Sequence, residues 1–177
     1  MRKLIRSCCI SLTLCVPFTN SWVRAEVLYT ADAGFAVENK VQIQQSVDVV
    51  WQALVNDVDA WWPKDHSWWA GTFSIDPHAG GCFCERSGER SVQHMAISMV
   101  DPGKLLRMTG GLGPLQGLGL SGALDWQIVP DEADPQLTEV TLTYRVNGYT
   151  PGGFGQLAPV VDQVQGLQLG GLKSYLD

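Results

Sequence analysis

The sequence predicts an α+β fold: a curved antiparallel sheet of about seven strands wrapped around a long C-terminal helix, with two short helices after the first strand. Three observations carry this. Residues 122–129 and 138–147 alternate, with Leu124, Trp126, Ile128, Val140, Leu142, Tyr144 and Val146 on one side and Thr141, Thr143, Arg145 and Asn147 on the other. A sheet patterned this way is dry on one face and must bury it. At the C-terminal end Leu157, Val160, Val161, Val164, Leu167, Gly171, Leu172 and Tyr175 recur at helical spacing, giving the one long amphipathic element able to cover that face. Between the two ends, turn residues such as Asp76-Pro77, Ser87-Gly88 and Asp101-Pro102-Gly103 divide the chain into strand-length runs.

The first residues stand apart from that pattern. Arg2, Lys3 and Arg6 precede an apolar run over 8–18, and Val23 and Ala25 occupy the −3 and −1 positions of a small-residue cleavage site before Glu26. This is the arrangement of an export signal. Residues 1–25 are therefore expected to be removed, leaving 26–177 as a single domain in the periplasm or outside the cell. The apolar run falls short of the roughly 20 residues a bilayer span needs, so no stable membrane anchor is expected after cleavage.

Residues 26–34 read as an irregular lead-in. Val37, Val41 and Ile43 alternate with charged and amide side chains, which predicts a strand over 36–44. Ser46 is a favourable N-cap and Asp48 suits a first turn, so Val47, Val50, Trp51 and Leu54 predict a helix over 47–56. A second helix over 58–62 stops at Pro63. Strands follow over 72–75, 81–86, 91–100, 105–109, 122–129 and 138–147. Residues 110–119 interrupt the series with glycines and leucines together. They suit a mobile flap over a pocket as well as a loop packed on the core.

The chain has 177 residues, 45% of them hydrophobic, which suffices for one packed domain. Its formal net charge of -6 and lack of a basic stripe argue against a nucleic-acid partner. Seven tryptophans are many for this length, and large aromatics belong in a core or around a ligand. After export only Cys82 and Cys84 remain. In one regular strand their Cα atoms would lie about 6.5–7 Å apart, so a bridge needs a local distortion. Two small buried apolar side chains are the favoured reading, with pairing in an oxidising compartment the alternative. Motifs for a nucleotide, metal or other cofactor, or for a serine or zinc hydrolase, are absent.

Several segments together resemble the helix-grip fold of the START-like, or SRPBCC, superfamily. They are V-Q-I-Q-Q-S-V-D-V-V-W-Q-A-L-V-N-D over 41–57, A-W-W-P over 60–63, P-H-A-G-G-C-F-C-E over 77–85, D-P-G-K-L-L-R over 101–107 and G-G-L-G-P-L-Q over 110–116. The closing helix completes the resemblance. The superfamily includes polyketide cyclase/dehydrase and lipid-transport proteins, Bet v allergen-type carriers and chaperone-ATPase-activator homologues. The resemblance implies a cavity between sheet and closing helix, and a small hydrophobic molecule or lipid as partner. A protein-contact module without ligand, built on a patch of Leu112, Leu115 and Leu118, is the alternative, as is a cyclase- or dehydratase-like enzyme. Fold alone does not decide among these.

On such a fold the cavity wall is expected to draw on Trp61, Trp62, Trp68, Trp69 and Phe73 at the helix-to-strand junction. Met108, Trp126 and Tyr144 would come from the sheet, Leu112 from the glycine-rich segment, and Phe154, Leu157 and Val161 from the closing helix and its approach. For any one tryptophan, plain packing is the favoured reading. His94, grouped with Val92, Ala96 and Ser98 on one strand face, could point into the cavity wall as a general base or a hydrogen-bond donor, although a hydrogen-bonded structural histidine is favoured. Glu85, Arg107 and Arg145 read as solvated or salt-bridged surface, with the arginines paired to Glu85 or Asp125 or, alternatively, neutralising an acidic ligand.

Overall fold

Alternation places the apolar side chains of successive strands on one side, and a single sheet collects them. The computed structural model describes residues 23–177. In chain order the elements are β1 (Arg24–Ala31), β2 (Gly34–Ile43), α1 (Val47–Asn56), α2 (Val58–Trp61), β3 (Thr72–Ile75), β4 (Cys82–Ser87), β5 (Arg90–Asp101) and β6 (Leu105–Gly110). There follow α3 (Pro114–Gly117), β7 (Ser121–Pro130), β8 (Thr138–Asn147) and α4 (Leu157–Leu176). All strands join one antiparallel sheet in the order β1-β2-β8-β7-β6-β5-β4-β3. This is the helix-grip arrangement: a curved sheet closed by a long terminal helix, with α1 and α2 inserted after the strand that pairs with β8.

The dry face supplies the core. Phe35, Val37, Leu124, Trp126, Leu142 and Tyr144 are each no more than 1% exposed, and Leu169 and Leu172 of α4 meet them. Burying a side chain of this size contributes about 1.5–3 kcal/mol. Polar ties then fix α4 on β2 and on the turn that follows it. Lys173 Nζ donates to the Gln42 carbonyl at 3.1 Å, Gln45 Nε2 to the Leu176 carbonyl at 3.0 Å, and Asn39 Nδ2 to Asp162 Oδ1 at 3.0 Å. Gly171 permits a close approach to α2, because a Cβ there would lie 2.5 Å from the Trp61 carbonyl oxygen.

The structure corrects several expectations. The lead-in over 26–34 is largely strand: β1 pairs with β2, making eight strands. As an edge strand almost wholly exposed on both faces, it carries no alternation to read. Ser46 does occupy the N-cap of α1, but its side chain makes no capping bond, and only its carbonyl engages, accepting from the Val50 amide at 3.0 Å. Thr141 and Thr143 are buried rather than wet. They lie on a central strand, flanked by the longer Lys40 and Gln127 and by Glu38 and Asp125, which cover them. The buried stripe of α4 is Ala158, Val161, Gln165, Gln168, Leu169 and Leu172, whereas Val160, Leu167 and Tyr175 are exposed.

Cys82 and Cys84 form a disulfide with Cα atoms 5.5 Å apart, against the expectation of free thiols. The distortion that a bridge requires is present. Phe83 pairs with Met95 but Cys84 pairs with Gln93, so β5 bulges at His94 opposite the cysteines. The bulge also breaks the predicted grouping of His94 with Val92, Ala96 and Ser98. It turns both His94 and Met95 inward, while Val92 and Ala96 are only partly buried and Ser98 is exposed. The export-signal residues Arg2, Lys3, Arg6 and the run over 8–18 lie outside the described residues. β1 itself begins at Arg24, so a cut after Ala25 would leave the greater part of this strand, from Glu26 to Ala31, in place.

Candidate functional site

The bulge in β5 and the register of β4 bring a carboxylate and an imidazole together inside the sheet. Glu85 is fully buried, not surface as its sequence context suggested, and His94 is 3% exposed beside it. Glu85 Oε1 accepts from Ser67 Oγ at 2.7 Å, from the Gly71 amide at 3.0 Å and from the Trp69 amide at 3.1 Å. Oε2 accepts from the Trp68 amide at 3.1 Å and lies 3.2 Å from His94 Nε2. Burial alone would raise the Glu85 carboxyl pKa, but the Ser67 hydroxyl and the three amides outweigh it and hold the group at about 2. The carboxylate is thus the clasp of the segment 67–71, which includes Ala70 at a left-handed φ of 49°.

His94 packs in a three-ring cluster, stacked on Phe73 at 5.4 Å and tilted against Phe83 at 5.1 Å, while the two phenylalanine rings also meet each other at 5.8 Å. Burial lowers its pKa, and the bond and charge of Glu85 oppose this only in part. The ring is therefore neutral at pH 7, with the Nε2 proton directed at Glu85.

On the other side of the space, the glycine-rich segment is pinned. The Tyr144 hydroxyl donates to the Gly110 carbonyl at 2.9 Å and accepts from the Leu112 amide at 3.0 Å. Burial pushes its own pKa up to about 12, against the lowering effect of the Leu112 amide. Gln116 Nε2 donates to the Gln93 carbonyl at 3.0 Å. Leu112 and Leu115 are buried, and of the three leucines only Leu118 is exposed, so the apolar patch expected for a protein-contact module does not form. The segment packs on the core and forms one wall of a pocket at the same time.

That pocket has a volume of about 320 Å³ and lies between the clasped segment, the glycine-rich segment, α4, and the sheet residues His94 and Tyr144. Three of its large apolar lining residues are half-exposed, Trp68 at 50%, Leu118 at 57% and Val160 at 56%, and with the exposed Asp65 and Pro114 they form the rim. Seven of the expected wall residues line it: Trp62, Trp68, His94, Leu112, Tyr144, Leu157 and Val161.

The others lie outside the wall. Trp61 donates its Nε1 to the Ala53 carbonyl at 2.9 Å and meets the edge of Trp126, which fixes both in the core beneath α2. Phe73 stacks on Phe83 and His94, Phe154 packs on Phe35, and Met108 is buried in the sheet core. Trp69 turns outward beneath the Arg90 guanidinium, 5.6 Å from its ring. Residues not anticipated as lining include His66 just before the clasped segment and Ser67 on it, Leu115 and Leu118, and Gln165 and Gln168 on α4. The loop could have been suspected from Trp68 beside it, but nothing in the spacing marks the glutamines as inward.

Arg107 and Arg145 are directed elsewhere. Arg107 makes a two-pronged ion pair with Asp125 at 2.6 and 2.9 Å, and Arg145 lies 3.7 Å from the same carboxylate. Among the described residues, no group of three or more His, Cys, Asp or Glu side chains is placed to hold a metal ion.

No family model matches this chain, and no curated protein does. Solved structures do. A conserved protein of unknown function from Enterococcus faecalis is 13% identical, with a TM-score of 0.59 over 89% of this chain and 77% of that one. The allergen Ara h 8.0201 is 14% identical, with a TM-score of 0.53 over 80% of this chain and 96% of its own. A protein of the dynemicin biosynthetic locus is 20% identical, with a TM-score of 0.53 over 80% of this chain and 46% of that one. At these identities the likeness is one of fold. The chain has the helix-grip fold, in common with a Bet v-type allergen.

Proposed function

We propose that this chain is an exported protein of the SRPBCC type that binds or carries a small hydrophobic molecule in the cavity between α4 and the sheet. One observation carries the reading: a mostly apolar space of about 320 Å³ that opens to solvent past Trp68, Leu118 and Val160. Ligand sites commonly have this form, apolar walls with a few placed polar groups. Export rests on the charged and apolar run before Ala25, and the half-buried disulfide suits an oxidising compartment.

The test is native mass spectrometry of the full chain expressed with its leader and recovered from the periplasm. The expected protein begins at Glu26 and retains an organic compound that denaturation releases. A Val164→Trp variant, which fills the wall, should be folded and empty. Protein that is always empty, with no compound from a lipid and aromatic panel retained, overturns ligand binding. Protein found only in the cytoplasm with residues 1–25 intact overturns export.

A second reading rests on His94. A neutral imidazole on the cavity wall, held by a buried carboxylate, has the form of a general base. Under that reading the bound compound would be chemically changed on incubation, and a His94→Gln variant would return it unchanged.

A further inference from the structure

α4 turns Val161, Gln165, Gln168 and Leu172 inward, and the two glutamines are only 2% and 3% exposed. A buried primary amide is costly unless its lost water bonds are replaced. Here the replacement is incomplete. Gln165 Nε2 donates to Gln168 Oε1 at 3.1 Å, but Gln165 Oε1 accepts from no group among the described residues. Just before the clasped segment, the Nδ1 of His66 is also buried and has no partner among the described residues. Both residues line the cavity. An orphaned acceptor on the wall of an apolar space demands a partner, and a ligand donor supplies one.

The charges of the wall narrow the ligand further. Among the described residues, no lysine or arginine lines the cavity. Its one acidic lining residue, Asp65, is exposed. Behind His94 stands the buried Glu85 carboxylate, whose field is negative. An anionic headgroup would enter a space with no cation to pair it. Size sets the remaining limit: a cavity of about 150 Å³ holds one benzene, so this one suits about two fused rings or an equal bulk of chain.

We infer that the cavity selects an uncharged molecule of about two-ring size that carries a hydroxyl, given as a donor to Gln165 Oε1, and that it rejects carboxylates such as fatty acids. This rests on the reading of the cavity as a ligand site.

Equilibrium dialysis of the folded, delipidated protein at pH 7 against naphthalene, 2-naphthol and 2-naphthoate tests it with one skeleton and three polar states. The expected order is naphthol tightest, naphthalene about tenfold weaker for want of one hydrogen bond, and naphthoate weakest. In Gln165→Leu, naphthalene should bind at least as well as in the parent, and the preference for naphthol should vanish. A Gln168→Leu variant, which frees Gln165 Nε2 without removing Oε1, should keep that preference. Naphthoate binding as well as naphthol, or an undiminished naphthol preference in Gln165→Leu, overturns the inference while leaving ligand binding intact. Failure of all three compounds to bind counts against the cavity as a ligand site, and the inference falls with it.

Discussion

Replacing Glu85 with glutamine leaves its shape almost unchanged and removes its charge, which makes the variant a measure of the clasp. The carboxylate has five donors within reach, three on Oε1 and two on Oε2. An amide can keep the three bonds at its oxygen, as neutral ones, but it sets an N–H against the Trp68 amide. The size of the loss follows from the acid's own equilibrium. A fall in pKa from 4.5 to about 2 means the folded protein favours the carboxylate over the protonated acid by about 3 kcal/mol more than the unfolded chain does. Glutamine resembles the protonated acid, so Glu85→Gln should cost about 3 kcal/mol at pH 7. In a domain of this size that lowers Tm by about 6–12 °C. The sign of the pH effect is fixed by the depressed pKa. The stabilisation is present above about pH 4.5 and is lost as pH falls towards 2. Thermal unfolding followed by circular dichroism across pH 7 to 2.5 reads both effects. The parent should lose most of its advantage over the variant between pH 4.5 and 2.5. A variant within 2 °C of the parent at pH 7, or a gap that persists undiminished at pH 2.5, would refute the clasp.

Two further substitutions probe the frame around the cavity. Tyr144→Phe removes the hydroxyl that joins the Gly110 carbonyl to the Leu112 amide, leaving a buried N–H without a partner. It should cost about 1–3 kcal/mol and speed hydrogen exchange at Leu112 while the β8 amides stay protected; unchanged exchange there would show that the segment is held by other means. Gly122→Ala drives a Cβ into the Arg145 carbonyl oxygen, inside the β7–β8 ladder. Insoluble protein or a Tm fall above about 10 °C is expected, since the clash is with backbone in the middle of the sheet, and a Tm within 2 °C of the parent would show that the ladder can shift to admit it.

How much was legible in the sequence differs by element for physical reasons. α1 and β8 were readable to the residue, because apolar and polar residue types recur with a clear period in each, even though Thr141 and Thr143 on the polar side of β8 are themselves covered. β1 was not, because an edge strand exposed on both faces has no period to show. On α4 the same logic misled: Val160 and Leu167 looked like core because they are apolar, while Gln165 and Gln168 occupy the inward stripe. The helical repeat identified a helix but rotated its buried face. The pairing of Glu85 with His94 was beyond reach, since it depends on the one-residue slip between β4 and β5 that turns His94 inward. The same slip lies opposite the cysteines, so misjudging the thiols and grouping His94 with the wrong face share one cause.

The two sides of the cavity are fixed by the same device, used twice. A buried polar side chain rooted in the sheet reaches out to backbone groups of an irregular segment: Glu85 to the amides of Trp68, Trp69 and Gly71, and Tyr144 to Gly110 and Leu112. Each replaces contacts that a regular strand or helix would have made for itself. Because both anchors stand on strands paired on each side, the walls are set before any ligand arrives. A preformed cavity spends little of its binding free energy on ordering loops. On the proposed reading, discrimination then falls to the polar groups left unpaired on that wall, which among the described residues are Gln165 Oε1 and His66 Nδ1. A loose pocket could turn the Gln165 amide aside for any guest. On the proposed reading, the Gln165 amide, tied to Gln168, would penalise each guest that brings no donor to meet it.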